Sequence, residues 1–162
     1  MKKNTNIESV LILPDIRSAL NVGAIFRTAD AVNISKIYLT GYTPNPTDKF
    51  GRVQKDIAKS ALGAETWVPW EYKKTVLPLI RKLKKDGFTI IALEQDKRAV
   101  DYRKIKMTTQ KVVIILGGEV EGLAKNILDE CDIIAEIQMH GKKESLNVSV
   151  ATGVLLFRLL HS

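Results

Sequence analysis

Cysteine occurs once in the 162 residues, at Cys131, so no disulfide can form within the chain and stability must come from a hydrophobic core. That single thiol sits in "NILDECDII" and suits a reducing compartment and a buried, structural position. Histidine is almost as scarce: His140 and His161 have no partner at ligand spacing, which predicts no metal site. No Ser/His/acid or Cys/His set offers itself for nucleophilic catalysis either. Long apolar runs are missing too. After Lys2 and Lys3 the run "VLILP" stops at Pro14, too short for a secretory signal, and nothing approaches the ~20 residues of a membrane-spanning helix. These absences predict a soluble, cytoplasmic protein with no metal and no membrane partner.

What is present is base. Lys and Arg number 25 against 18 Asp and Glu, giving a formal charge of +7 and a pI near 9.5. The excess is spread along the chain, with clusters at "RKLKK", "DKRAVDYRKIK" and "GKK", and suits a polyanionic partner such as nucleic acid. The stretch "KKTVLPLIRKLKK" has no aromatic on its apolar side and reads as a packed surface helix. Length fits a single domain over 1–162, without room for a separate large recognition domain.

Short β-rich runs ("VLIL", "KIYLT", "FTIIAL", "VVIIL", "IIAEIQM") alternate with helical periodicity from end to end. Near-continuous apolar strands separated by helices predict an α/β fold, a mostly parallel sheet with helices on both faces. One helix is expected to carry Phe50, Val53, Ile57 and Ala61 on one face. Gly63 and Gly87 stand where helices end. Trp67, Trp70 and Tyr72 read as core and edge packing. The last segment, "KKESLNVSVATGVLLFRLL", is apolar nearly all round after Val148 and predicts a buried terminal helix. Ser145, Asn147 and Ser149 before it are helix-capping types; they either only cap or also face a ligand.

In open α/β sheets ligands bind beyond the carboxyl ends of strands. Three loops there are unusual: "LPDIRSALNVGAIFRTADAV", where Asn21 and Gly23 are expected just before a helix carrying Arg27 one turn in; "IILGGEVEGL"; and "IQMHGKKESLNVS". The second has glycines at P-loop spacing, Gly117 and Gly122, but Leu123 and Ala124 replace the Lys and Ser/Thr that a phosphate needs. Glu119, with Glu121 nearby, would repel a pyrophosphate. A ligand without phosphates, such as a cationic sulfonium, suits the loop.

Together "NVGAIFRTADAV", "ILGGEVEGL" and "IQMHGKKESLNVSVA", in this order, with "YLTGYTPNP" and "KSALGAE" between, resemble the three motifs of the SpoU/TrmH-type RNA ribose 2′-O-methyltransferases of the SPOUT superfamily. The resemblance runs from Val10 to Leu160 and is to a minimal, single-domain member. It implies an α/β domain with a C-terminal deep trefoil knot, against the general rule that chains are unknotted, and a homodimer. It implies S-adenosyl-L-methionine as cofactor, held mostly by backbone at Leu116, Gly117 and Gly118 and at Ile137, Met139, Ser145 and Leu146. Gln138 stands where the family commonly has Pro, which alters loop stiffness more than chemistry.

The reaction so implied is attack of a ribose 2′-hydroxyl on the cofactor's methyl group. Arg27 takes the central role, with Asn21 orienting Arg27 or the ribose, Glu119 holding its loop or pairing with Arg27, and Ser145 and Asn147 completing the site. Arg17, Arg27, Arg52 and Lys55 are the expected RNA contacts, on tRNA ahead of rRNA. The second reading is a catalytically silent RNA-binding or assembly factor that keeps the fold.

Overall fold

The computed structural model describes residues 7–161, so Lys2 and Lys3 lie outside the described residues. Seven strands form: β1 (Glu8–Pro14), β2 (Lys36–Thr40), β3 (Trp70–Lys73), β4 (Thr89–Leu93), β5 (Val100–Asp101), β6 (Lys111–Leu116) and β7 (Ile133–Glu136); five are the expected apolar runs, while β3 and β5, at the two edges of the sheet, were not expected. They form one sheet in the order β3-β2-β1-β6-β4-β7-β5, and each neighbouring pair is parallel. Alternate residues of each strand supply two cores, as the pleat requires. Leu11, Leu13, Ile37, Leu39, Ile114 and Leu116 pack under α1 (Ala19–Ala31), α2 (Lys55–Ala61), α3 (Ala64–Trp67) and α6 (Val148–Leu160). Val10, Ile12, Ile90, Ala92, Val113 and Ile115 pack under α4 (Val76–Lys85) and α5 (Lys125–Glu130). The expected parallel sheet with helices on both faces is therefore present.

From β1 the chain builds outward through β2 and β3, then crosses to lay down β4 on the far side, and β6 later inserts between β1 and β4. The β1–β6–β4 region is thus where the winding reverses, the place such sheets open a crevice. After β7, in the far half of the sheet, the chain returns to pack α6 on α1. That path accords with the threaded C-terminal segment implied by the resemblance.

Local chemistry shifts several boundaries. Ser18, not Asn21, caps α1, its hydroxyl accepting from Asn21 N at 3.2 Å, so Asn21 and Gly23 lie inside the helix and Arg27 in its third turn. Gly23 is tolerated there because α2 crosses at that point: a Cβ would lie 2.0 Å from Ser60 Oγ and 2.3 Å from Ile57 O. The helix expected from Phe50 begins only at Lys55, because Asp48 Oδ1 accepts from the N–H groups of both Phe50 and Arg52 and ties them into a turn. Phe50 and Val53 are exposed instead of packed. Gly63 and Gly87 do follow helix ends, with φ of +98° and +89°.

The terminal helix departs most from expectation. Thr152, Leu155, Leu156 and Leu159 are buried, but Val150 and Phe157 are half exposed, because a single copy of the chain covers only one side of α6. Among the three aromatics only Trp70 packs against the core. Trp67 is exposed, its indole N–H donating to Asp30 Oδ1 at 2.7 Å, and Tyr72 is exposed with its hydroxyl on Gly41 O. Cys131 is partly buried, its thiol on Ile127 O, and burial pushes it up to about 11. Among the described residues no helix is long and apolar enough to cross a membrane.

Candidate functional site

The loops after β4, β6 and β7 and the start of α6 enclose a cleft of about 550 Å³ at the carboxyl edge of the sheet. Leu116, Gly117 and Gly118 form one wall and Ile137, Met139, Ser145 and Leu146 another, so all seven residues expected to hold the cofactor meet around one space. Gln138 does not line this cleft.

A hydrogen-bonded chain staples the three motifs at its rim. Asn21 Nδ2 donates to Glu119 Oε1 at 2.8 Å, and Asn147 Nδ2 donates to Asn21 Oδ1 at 3.1 Å. Arg17 N donates to Glu119 Oε2 at 3.1 Å. Asn147 Oδ1 meanwhile accepts from Ser149 N and Oγ, capping α6. Asn147 therefore both caps α6 and lines the cleft. Burial pushes the Glu119 carboxyl up, but the Asn21 amide and the surrounding backbone N–H groups outweigh it and hold it below the ordinary value.

The expected Glu119–Arg27 pair is not formed, since Asn21 and Arg17 N occupy both carboxylate oxygens. Asn21 consequently orients Glu119 and Asn147 rather than Arg27. Arg27 is exposed, makes no ion pair or hydrogen bond among the described residues, and does not line the cleft. By helical spacing it shares a stripe of α1 with Leu20, Ala24 and Ala31. Arg52 and Lys55 lie on the β2–α2 side, with Arg52 Nε on Asp48 Oδ2 at 2.6 Å.

Two acidic residues escaped the sequence reading. Glu94, at the end of β4, lines the cleft and accepts from Leu123 N with Oε2 and from Gln95 N with Oε1, both at 2.9 Å. Its carboxylate fills the space in which a Cβ on Gly117 or Gly122 would stand, at 2.9 and 2.4 Å, which explains both glycines. Asp15, at φ +52°, accepts from Tyr42 N with Oδ1, while its carbonyl oxygen lies 2.6 Å from where a Cβ on Gly118 would be. The signal was the same strand-end rule, applied to "ALEQ" and "LPD".

The charge around the cleft tests what it can hold. Glu94, Glu119, Glu121 and Glu136 line it, and among the described residues no Lys or Arg does, in a chain of net +7. A phosphate would be repelled there, whereas a ligand with a flat apolar part and a positive centre is favoured. Among the described residues no three His, Cys, Asp or Glu side chains group to hold a metal ion.

The fold and cleft thus define a doubly wound parallel α/β protein with an acidic cleft at its sheet edge suited to a non-phosphorylated, cation-bearing ligand. Within that class the chain belongs to the SpoU rRNA methylase family, whose model matches residues 8–157. It is 34% identical over 156 residues to the 23S rRNA (guanosine-2′-O-)-methyltransferase RlmB of Xanthomonas axonopodis pv. citri, covering 94% of this chain and 58% of that protein. It superposes on an AdoMet-bound rRNA methyltransferase from Sinorhizobium meliloti with a TM-score of 0.84 and 31% identity, covering 93% of this chain and 55% of that one. Against the A. aeolicus TrmH/SpoU tRNA modifying enzyme the TM-score is 0.80 at 28% identity, covering 93% of this chain and 73% of the other. The chain spans about three-fifths of the length of the curated relatives it matches.

Proposed function

We propose that the protein is an S-adenosyl-L-methionine-dependent RNA 2′-O-ribose methyltransferase acting on tRNA, with rRNA as the alternative substrate. The observation that carries the reading is the chain Asn147–Asn21–Glu119 at the rim of a cleft lined by carboxylates and no base. A silent binding factor has no use for such a set.

Bound in the cleft, the cofactor supplies an electrophilic methyl group. Leu116, Ile137, Met139 and Leu146 cover its apolar part, and the close backbone of Gly117 and Gly118 lets it lie against the loop. The carboxylates favour its positive charge and turn phosphates away. Ser145 stands at the cleft mouth to meet the ribose. Asn21, Glu119 and Asn147 are positioning residues that hold the three loops in register.

A guanidinium offers hydrogen-bond donors and no acceptor, so Arg27 does not serve as the base. Its role is therefore to hold a phosphate beside the reacting ribose and to stabilise charge developing on the 2′-oxygen. It does so across a homodimer. Leu20 on α1 and Val150 and Phe157 on α6 are 46%, 52% and 51% exposed. The two helices pack together, and Leu20 shares its stripe of α1 with Arg27, so these exposed apolar residues are of the kind that a second copy covers.

Transfer of label from S-adenosylmethionine to unmodified tRNA and rRNA, followed by nucleoside mass analysis, tests the reading. The expected product is a 2′-O-methylated nucleoside whose formation falls at least about a hundredfold in Arg27→Ala. Label on a base atom, or no label on either RNA, refutes it, and the second result favours the silent factor.

A further inference from the structure

The loop between β2 and α2, residues 41–54, takes no part in the cleft, yet it displays the most exposed large apolar side chain among the described residues. Phe50 is 70% exposed, and Tyr42 and Tyr72 stand 58% and 42% exposed at the side of a hollow of about 740 Å³. Arg52 and Lys55 complete its border.

The display of Phe50 is built. Asp48 Oδ1 accepts from Phe50 N at 2.8 Å and Arg52 N at 3.0 Å, and Asp48 N donates to Arg52 O at 3.0 Å. Gly51, at φ +76°, closes the turn with its N–H on Asp48 O. A ring that burial would stabilise is thus held out in water by a tied turn. Two cations attend it: Lys49 Nζ lies 5.0 Å, and the Arg52 guanidinium carbon 5.1 Å, from the ring centroid. Apolar ring faces interleaved with cations are what unpaired nucleotides require, the base stacking and its phosphates finding Lys or Arg.

Position supports the same occupant. Asp15 holds Tyr42 N with its carboxylate and sets its carbonyl against Gly118, so one residue links the border of the hollow to that of the cleft. Asp48, the one acid bordering the hollow, is already paired with Arg52.

We propose that this loop seats an unpaired nucleotide of the RNA substrate, its base stacked on Phe50 or Tyr42 and its phosphates on Lys49, Arg52 and Lys55. The methylated ribose then lies in a single-stranded or loop segment rather than within a duplex. The proposal rests on the methyltransferase reading above and deepens it by naming the form of RNA.

The test is binding of the full chain to a short single-stranded RNA containing a fluorescent adenine analogue, and to a duplex of the same sequence. Phe50→Ala is expected to bind the single strand about tenfold more weakly and to relieve quenching of the analogue, with its salt slope unchanged. Phe50→Trp restores both signals. Arg52→Gln reduces the salt slope by about 0.7. Binding of S-adenosylmethionine, followed by calorimetry, stays at the wild-type value in each variant and reports that the fold is intact. Wild-type affinity in Phe50→Ala and Tyr42→Ala overturns the proposal, as does equal weakening toward duplex, absence of single-strand binding by the wild type, or a change in sedimentation that marks the ring as a protein contact. Failure of the parent reading is separate: the wild type then binds no S-adenosylmethionine and methylates no RNA, whatever Phe50 does.

Discussion

Glu94 and Glu119 border the same cleft, but their environments give them different work. Glu94 braces the loop after β6 from behind, its Oε2 on Leu123 N, and dictates glycine at positions 117 and 122. Glu119 faces the loop before α1 and takes the Asn21 amide and Arg17 N. Its folded pKa lies below the ordinary 4.5. A depressed carboxyl contributes stability that is full above its unfolded value and is lost as pH falls through the folded one. Urea unfolding followed from neutral pH to below 4.5 should therefore show an acid loss of stability that is smaller in Glu119→Gln, since the amide does not titrate. An identical pH profile in the variant would show that the carboxylate is not coupled to folding.

Whole elements were read from sequence with uneven success, and the differences have physical causes. The five inner strands were legible because a parallel sheet covered on both faces needs unbroken apolar runs, as in "VVIIL", whereas the edge strands β3 and β5, "WEYK" and "VD", carry no such run. Two of the cleft's loops, after β6 and β7, were legible by the strand-end rule and by the acids that replace a phosphate site, whereas the loop after β4, which carries Glu94, was passed over. The starts of α1 and α2 were not, because each hangs on one side chain competing for nearby N–H groups: Ser18 takes Asn21 N, and Asp48 takes Phe50 N and Arg52 N. Asn21 joins Asn147 across 126 positions, a contact that no local pattern encodes. The α1–α2 crossing is likewise invisible until Gly23 is seen against Ser60 and the Ile57 carbonyl, while Ser60 Oγ donates to Leu20 O at 2.8 Å. Adding a methyl group there must push a backbone carbonyl aside. Gly23→Ala should cost about 1–3 kcal/mol in urea unfolding, in spite of alanine's better helix propensity. A neutral or stabilised variant would mean that the two helices separate freely.

At the scale of the molecule, charge is sorted. A chain of +7 surrounds a cleft bordered by four carboxylates and no base. Such a distribution draws a polyanion to the exterior while keeping its phosphates out of the cleft, leaving only uncharged groups able to approach. Arg27 is the one candidate catalytic group that neither lines its own chain's cleft nor joins the hydrogen-bonded chain at the rim, and this fixes the decisive experiment. Met139→Arg puts a cation into the cleft wall and should abolish cofactor binding, while Arg27→Ala keeps the cleft and loses transfer. Neither variant is expected to methylate RNA alone. Co-expressed in equal amounts they give half heterodimers, and if Arg27 serves the partner's cleft each heterodimer holds one complete site, restoring about a quarter of wild-type activity. If Arg27 serves its own cleft the mixture stays inactive. Phe157→Glu, which places a charge on the exposed face of α6, separates the remaining case: sedimentation as a monomer with cofactor binding intact and transfer lost supports the shared site, whereas full transfer by a monomer removes the dimer from the mechanism.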